Sequence, residues 1–274
     1  MKTIIRYSLF PLLAYLSLFL STTTSLFWQS STSRYSKSVN GKNIEVYASS
    51  KPKRSLIFFT GGFNKMPNFI YSDFLTELSE NGVTCYSVQD NIDYKVISFI
   101  ENEANELPII ASHSSGSVPA LELCSLVPIE DIVLFDPVGF GNFKLRSAKN
   151  VVFINAELSY SWDKFMDLPF IPSIFAITEK NLVTSANITR IEYDDYGHGD
   201  ILNSFWADVS VMTQIIKGNE DRNDEVNKKY RELIVKNILD MITSDEKMKE
   251  SLPNSIIKSD VNIPEISDSD TSDT

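Results

Sequence analysis

Six short apolar runs, most of them followed by a segment of helical period, constrain this chain more than any other feature. They cover residues 56–60, 83–88, 108–112, 132–135, 151–155 and 188–193. Most are continuous rather than alternating, as strands buried on both faces of a parallel sheet are. Between them apolar residues recur at helical spacing: Phe69, Phe74, Leu75 and Leu78, then Val96, Ile97 and Ile100. Two more amphipathic helices are predicted over 201–216 and 226–242, the second with apolar Leu233, Ile234, Ile238, Met241 and Ile242. Strands alternating with helices of this size specify an α/β domain, a mostly parallel sheet with helices on both faces. Upstream, Asn40-Gly41 ahead of the alternating Ile44-Glu45-Val46-Tyr47 is a hairpin signal, preceded by a Ser-rich stretch over 30–38.

The third run ends in Ala111-Ser112-His113-Ser114-Ser115-Gly116-Ser117, followed by Val118-Pro119-Ala120-Leu121 and a helical pattern reaching Leu126. A strand that breaks into small residues around a central Ser and then turns helical is the sequence form of a nucleophile elbow, with Ser114 at its tip. The usual pattern is Gly-x-Ser-x-Gly; here Ser112 stands in the first glycine position and Gly116 in the second.

A serine nucleophile needs a base, and imidazole is the side chain that titrates near neutral pH. The chain has two histidines. His113 directly precedes Ser114, and adjacent strand residues point to opposite faces, so it is badly placed to serve it. His198 lies in a turn-rich segment, Tyr193-Asp194-Asp195-Tyr196-Gly197-His198-Gly199-Asp200, between a predicted strand and a predicted helix. It is the candidate base. Asp194, Asp195 and Asp200 read as turn and cap residues.

In the order elbow, acidic turn and late histidine, residues 43–217 resemble the α/β-hydrolase family. The resemblance implies an α/β-hydrolase fold and a serine ester hydrolase of esterase or lipase type, working through a Ser-Asp-His triad and an acyl-enzyme. It implies an oxyanion hole from the loop Phe59-Thr60-Gly61-Gly62-Phe63, with the N–H groups of Gly62, Phe63 and Ser115 as donors. Two positions are open for the acid. Asp136 follows the run 132–135 directly, in Asp136-Pro137-Val138-Gly139. That motif, with Gly197-His198-Gly199-Asp200-Ile201-Leu202, resembles the chlorophyllase-like branch, whose acid sits here. The commoner family position follows the next strand, where Glu157 and Asp163 stand; Asp136 is preferred, with Glu157 second. An aromatic insertion (Tyr160, Trp162, Phe165, Phe170, Phe175), broken by Pro169 and Pro172, suits an apolar wall for a lipophilic ester. The alternative function is a catalytically inactive binding or structural module on the same fold.

Composition narrows the remaining classes. A net charge of −11 without a basic stripe argues against nucleic acid as a partner. Two cysteines, Cys85 and Cys124, make no disulfide framework, and two histidines make a metal site improbable; neither metal nor cofactor is expected. Residues 1–25 combine Lys2 and Arg6 with an apolar core over 9–20, the pattern of a signal peptide or, less readily, a membrane anchor. The hydrolase domain is placed at 38–243, and 244–274 is expected to be an acidic disordered tail. The expected location is the secretory pathway, secreted or membrane-anchored, with the apolar segment offering membrane association. The sequon Asn187-Ile188-Thr189 suits a glycan at Asn187.

Overall fold

The computed structural model describes residues 32–88, 94–104, 106–156, 175–212 and 224–251. The predicted N-terminal signal, Glu157, Asp163, the insertion up to residue 174 and the part of the expected acidic tail beyond 251 lie outside the described residues; residues 244–251, expected to open that tail, instead continue the helix Asp224–Ser251.

Among the described residues ten strands run in chain order: β1 (Thr32–Val39), β2 (Lys42–Ser49), β3 (Arg54–Phe59), β4 (Val83–Val88), β5 (Ile109–His113), β6 (Asp131–Phe135), β7 (Phe143–Lys144), β8 (Asn150–Ala156), β9 (Leu182–Val183) and β10 (Asn187–Tyr193). Eight of them form one sheet in the order β1-β2-β4-β3-β5-β6-β8-β10, and β7 and β9 pair separately. From β4 through β10 the sheet is parallel, while β2 runs antiparallel to both β1 and β4. This is a mostly parallel sheet with helices on both faces, the architecture that the resemblance to the α/β-hydrolase family led us to expect.

The six apolar runs are all strands of this sheet, within one or two residues of their expected bounds. β3, β5 and β6 are buried at every position. Their side chains alternate between two cores. Ile57, Phe59, Ile132 and Leu134 enter one, while Leu56, Phe58, Val133 and Phe135 enter the other. Helices α3 (Tyr94–Ala104) and α4 (Ser117–Leu126) supply the first core through Val96, Ile100, Ala120 and Leu121. The second core takes Phe74, Leu75 and Leu78 of α2 (Ser72–Glu80), Ala207 of α5 (Ser204–Met212), and Tyr230, Ile234, Ile238 and Ile242 of α6 (Asp224–Ser251). A short helix, α1 (Gly61–Asn64), follows β3. Cys85 and Cys124 are free and buried, and burial raises both thiol pKa values.

The Ser-rich lead-in turns out to be strand. β1 spans the full length of β2, with Thr32 opposite Ser49 and Val39 opposite Lys42. Its exposed edge position lets polar residues alternate there at little cost. Asn40 and Gly41 turn the hairpin with φ of 50° and 74°, the left-handed pair that a two-residue loop of this twist requires. The predicted helix at 201–216 starts three residues late, because residues 201–203 are turn and Asn203 is held by its own side chain. Its amide donates to the Phe69 carbonyl at 2.8 Å and to Ser72 Oγ at 2.9 Å, and its oxygen accepts from the Asp73 N–H at 3.1 Å. No helix among the described residues is long and apolar enough to cross a membrane.

Candidate active site

Ser114 begins where β5 ends, and its φ is +55°. A non-glycine residue in the left-handed region costs of order 1 kcal/mol or more, so surrounding contacts must hold it there. They do. The Ser114 carbonyl accepts from the Val138 N–H at 3.1 Å, tying the elbow to the loop after β6. Two residues on, a Cβ at Gly116 would lie 2.2 Å from the Thr60 carbonyl oxygen, which no side chain tolerates. Gly116 is therefore glycine because the elbow presses against the loop after β3. Ser112 fits the other position because its hydroxyl has a partner. It is fully buried and hydrogen-bonds the Ser117 hydroxyl at 2.9 Å.

Asp136 stands at the equivalent point of the neighbouring strand. β5 and β6 pair with His113 opposite Phe135, so Ser114 and Asp136 leave the sheet side by side at its carboxyl edge. Asp136 also has a left-handed backbone, φ +42°. Its Oδ1 accepts from the Ala156 N–H at 2.8 Å, and its own N–H donates to the Ile154 carbonyl at 3.0 Å, so β8 fixes the carboxylate. The other oxygen, Oδ2, lies 3.7 Å from Nδ1 of His198, both side chains being about 5% exposed or less. The two positions open for the acid thus differ in standing: Asp136 meets His198, and Glu157 lies outside the described residues.

The turn that carries His198 is held from within and from both sides. The Gly197 N–H donates to Asp200 Oδ2 at 2.7 Å, and the Asp200 N–H returns to the Gly197 carbonyl at 3.0 Å. Asp200 is fully buried and closes this turn with its carboxylate. Just downstream, Arg231 of α6 donates to the Leu202 carbonyl at 3.1 Å while its Nε reaches Glu77 of α2 at 3.3 Å. Tyr196 stacks on Tyr230 with ring centroids 4.6 Å apart.

Gly61, Gly62 and Phe63 open α1, whose first N–H groups have no acceptor within the helix itself. That of Gly61 donates to the Tyr71 hydroxyl at 3.0 Å. Ser115 lies in the first turn of the helical segment that starts at the elbow, Ser114–Gly116. The loop is locked by its own side chains: Asn64 Oδ1 accepts from the Thr60 N–H at 2.9 Å, and Thr60 Oγ1 donates to the Met66 carbonyl at 2.9 Å.

His113 has a part that sequence reasoning did not foresee. It is buried, with Nδ1 2.8 Å from the Tyr71 hydroxyl and Nε2 3.0 Å from the His198 carbonyl oxygen, and its ring lies 4.5 Å from the His198 ring. Burial first, and the neighbouring His198 second, hold its pKa well below the usual imidazole value, against an opposing hydrogen bond to the His198 backbone. His113, Asp136 and His198 bring three ligand-type atoms within 4.8 Å of one another, a spacing compatible with a cation. Both His113 nitrogens are already engaged, by the Tyr71 hydroxyl and by the His198 carbonyl oxygen.

Aromatic side chains flank this edge of the sheet. Phe140, in the loop after Asp136, is 68% exposed and meets Phe175 edge to face at 4.5 Å. On the other side Phe69 and Phe205 each contact Trp206, at 5.6 and 5.2 Å.

No protein-family model matches the chain, and no curated protein does. Solved structures resemble it in fold. A hormone-sensitive lipase from a metagenome library is 10% identical with a TM-score of 0.47, covering 77% of this chain and 91% of that one. An α/β-hydrolase enzyme from a Medee basin deep-sea metagenome library is 10% identical with a TM-score of 0.47, over 76% and 99% of the two chains. The dienelactone hydrolase of Anabaena variabilis is 10% identical with a TM-score of 0.43, over 67% and 96%.

Proposed function

We propose that the protein is a serine-dependent hydrolase of carboxylic esters carrying a lipophilic group, acting through Ser114, His198 and Asp136. The observation that carries this reading is the meeting of Asp136 Oδ2 and His198 Nδ1 at 3.7 Å, on the edge where Ser114 is held at φ +55°. Catalytic hydrogen bonds are commonly long before substrate closes a site. With the carboxylate facing Nδ1, the proton of the neutral imidazole sits on Nδ1 and the Nε2 lone pair is left to act as base. Ser114 Oγ attacks the ester carbonyl and passes its proton to Nε2. His198 then gives that proton to the leaving alcohol, and water repeats the cycle on the acyl-enzyme. The N–H groups of Gly62, Phe63 and Ser115 are assigned to the developing oxyanion. Neither metal nor cofactor has a step.

The acid after β6 rather than after β8 supports the chlorophyllase-like resemblance. The exposed Phe140 and the Phe69–Trp206–Phe205 group favour an acyl or alcohol part that is apolar. A secretory location, reached through residues 1–25, belongs to the same proposal. Asn187 is exposed at the first position of edge strand β10, where a glycan would meet solvent.

Turnover of medium-chain p-nitrophenyl esters tests the reading. The wild-type protein is expected to hydrolyse them and His198→Ala to lose at least about 10³-fold in kcat. Equal rates for the two would leave the inactive binding module as the better account.

A further inference from the structure

Four groups form one hydrogen-bonded chain across the carboxyl edge: the Gly61 N–H, the Tyr71 hydroxyl, the His113 ring and the His198 carbonyl, at 3.0, 2.8 and 3.0 Å. Its direction is fixed by its ends. An amide N–H can only donate and a carbonyl oxygen can only accept. Tyr71 therefore accepts from Gly61 and donates to Nδ1 of His113, and Nε2–H of His113 donates to His198. The chain admits one tautomer of a neutral His113.

We propose that Tyr71 and His113 are positioning residues that tie the loop bearing the oxyanion donors to the loop bearing the base. This inference rests on the ester-hydrolase reading and extends it, since neither residue touches the reacting atoms. Both ends of the chain are placed for it. Gly61 directly precedes Gly62 and Phe63, and the carbonyl that His113 holds is that of His198 itself. The linkage is also tight. A Cβ at Gly61 would stand 2.9 Å from the Tyr71 hydroxyl and 3.5 Å from His113 Nδ1. Tyr71 is fixed independently, being fully buried with its ring edge-on to Phe58 at 5.0 Å. Strand parity explains why His113 is available. Like Ile109 and Ala111, it faces the core that α2 covers, and Tyr71 immediately precedes α2.

A base and an oxyanion hole on separate loops must keep one spacing through the reaction, and a misplacement near 1 Å costs on the order of 10²-fold in rate. Tyr71→Phe removes one hydroxyl while keeping the ring, and is expected to lower kcat on p-nitrophenyl esters by about 10- to 100-fold with KM within about twofold. His113→Gln, whose amide can still donate to the His198 carbonyl, is expected to keep more activity than His113→Leu. Unchanged kcat in folded Tyr71→Phe and His113→Leu would overturn the proposal.

Nitrogen-15 NMR of the wild-type protein decides the relay without reference to activity or to the folding of any variant. His113 is expected as a neutral ring with Nε2 protonated and Nδ1 a hydrogen-bond acceptor. A ring protonated at Nδ1 at neutral pH would refute the relay. Absence of wild-type ester turnover, by contrast, would refute the hydrolase reading and leave the NMR result to judge the relay by itself.

Discussion

At the amino ends of the parallel strands, Arg54 is buried with its guanidinium 2.9 Å from Asp131 and 3.3 Å from Glu106. Asn150 donates to the second Asp131 oxygen at 2.9 Å, and the Ser55 N–H donates to Glu106 at 2.9 Å. At the carboxyl ends lies the second buried polar cluster, Tyr71, His113, His198 and Asp136. The second is the drier, since the Glu106 side chain of the first is 26% exposed, and the two are built differently. In the first, opposite charges meet on ordinary strand backbone, and the first residues of β3, β6 and β8 are latched together. In the second, Ser114 and Asp136 are both forced to positive φ, and hydrogen bonds join the strand ends at His113 and Ala156 to residues outside the sheet. Opposite charges on strand backbone make an ion latch in one place; strained backbone beside a serine, a histidine and a carboxylate is what carries the proposed reaction site in the other.

Mutations should separate the two clusters cleanly. The largest effect is expected from Asp136→Asn, which favours the wrong imidazole tautomer. Its kcat should fall by about 10³- to 10⁴-fold while the melting temperature barely moves. A normal rate for this variant, with a loss in Glu157→Gln, would restore the commoner family position for the acid. Arg54→Met should show the reverse pattern. It strands the Asp131 carboxylate, and removal of one partner of a buried pair costs about 3–5 kcal/mol. Urea unfolding should report that loss, while kcat per folded molecule stays unchanged. A drop in kcat instead would mean that the amino-end cluster communicates with the site.

How much of this was legible beforehand differs between the two ends as well. The six inner strands were readable because continuous apolar runs have one economical home, a sheet covered on both faces. The elbow was readable because Ser114 and Gly116 mark a backbone conformation and a close approach that few residues allow. Asp136 was read as the acid from its position after a strand, and in the structure its carboxylate lies 3.7 Å from His198 Nδ1. β1 was readable only through its turn: Asn40-Gly41 signalled a hairpin, but an edge strand with one partner carries no apolar pattern, so Thr32–Val39 itself looked like a polar lead-in. Nor was the part played by His113 and Tyr71. Their encounter joins residues 42 apart through the register of β5 and the entry to α2, which no local pattern encodes.

A smaller effect distinguishes the clusters by pH. Burial keeps His113 neutral in the folded state, its pKa well below the ordinary value near 6.5. The unfolded chain takes up that proton as pH falls through about 6.5, so it binds more protons than the native state there. Stability from this group is thus fully present above about pH 6.5 and declines below it, by at most about 1.4 kcal/mol per pH unit. Thermal melts between pH 7.5 and 5 should show the decline in wild type and a shallower one in His113→Gln. Identical slopes would show that His113 is not held neutral by the fold.

Covalent labelling tests the central claim most directly. The folded protein treated with a fluorophosphonate should gain one adduct, located by peptide mass spectrometry on Ser114, absent in Ser114→Ala and formed far more slowly in His198→Ala. A folded protein that takes no label, or takes it on another serine with Ser114 unmodified, would contradict the assignment of Ser114 as nucleophile.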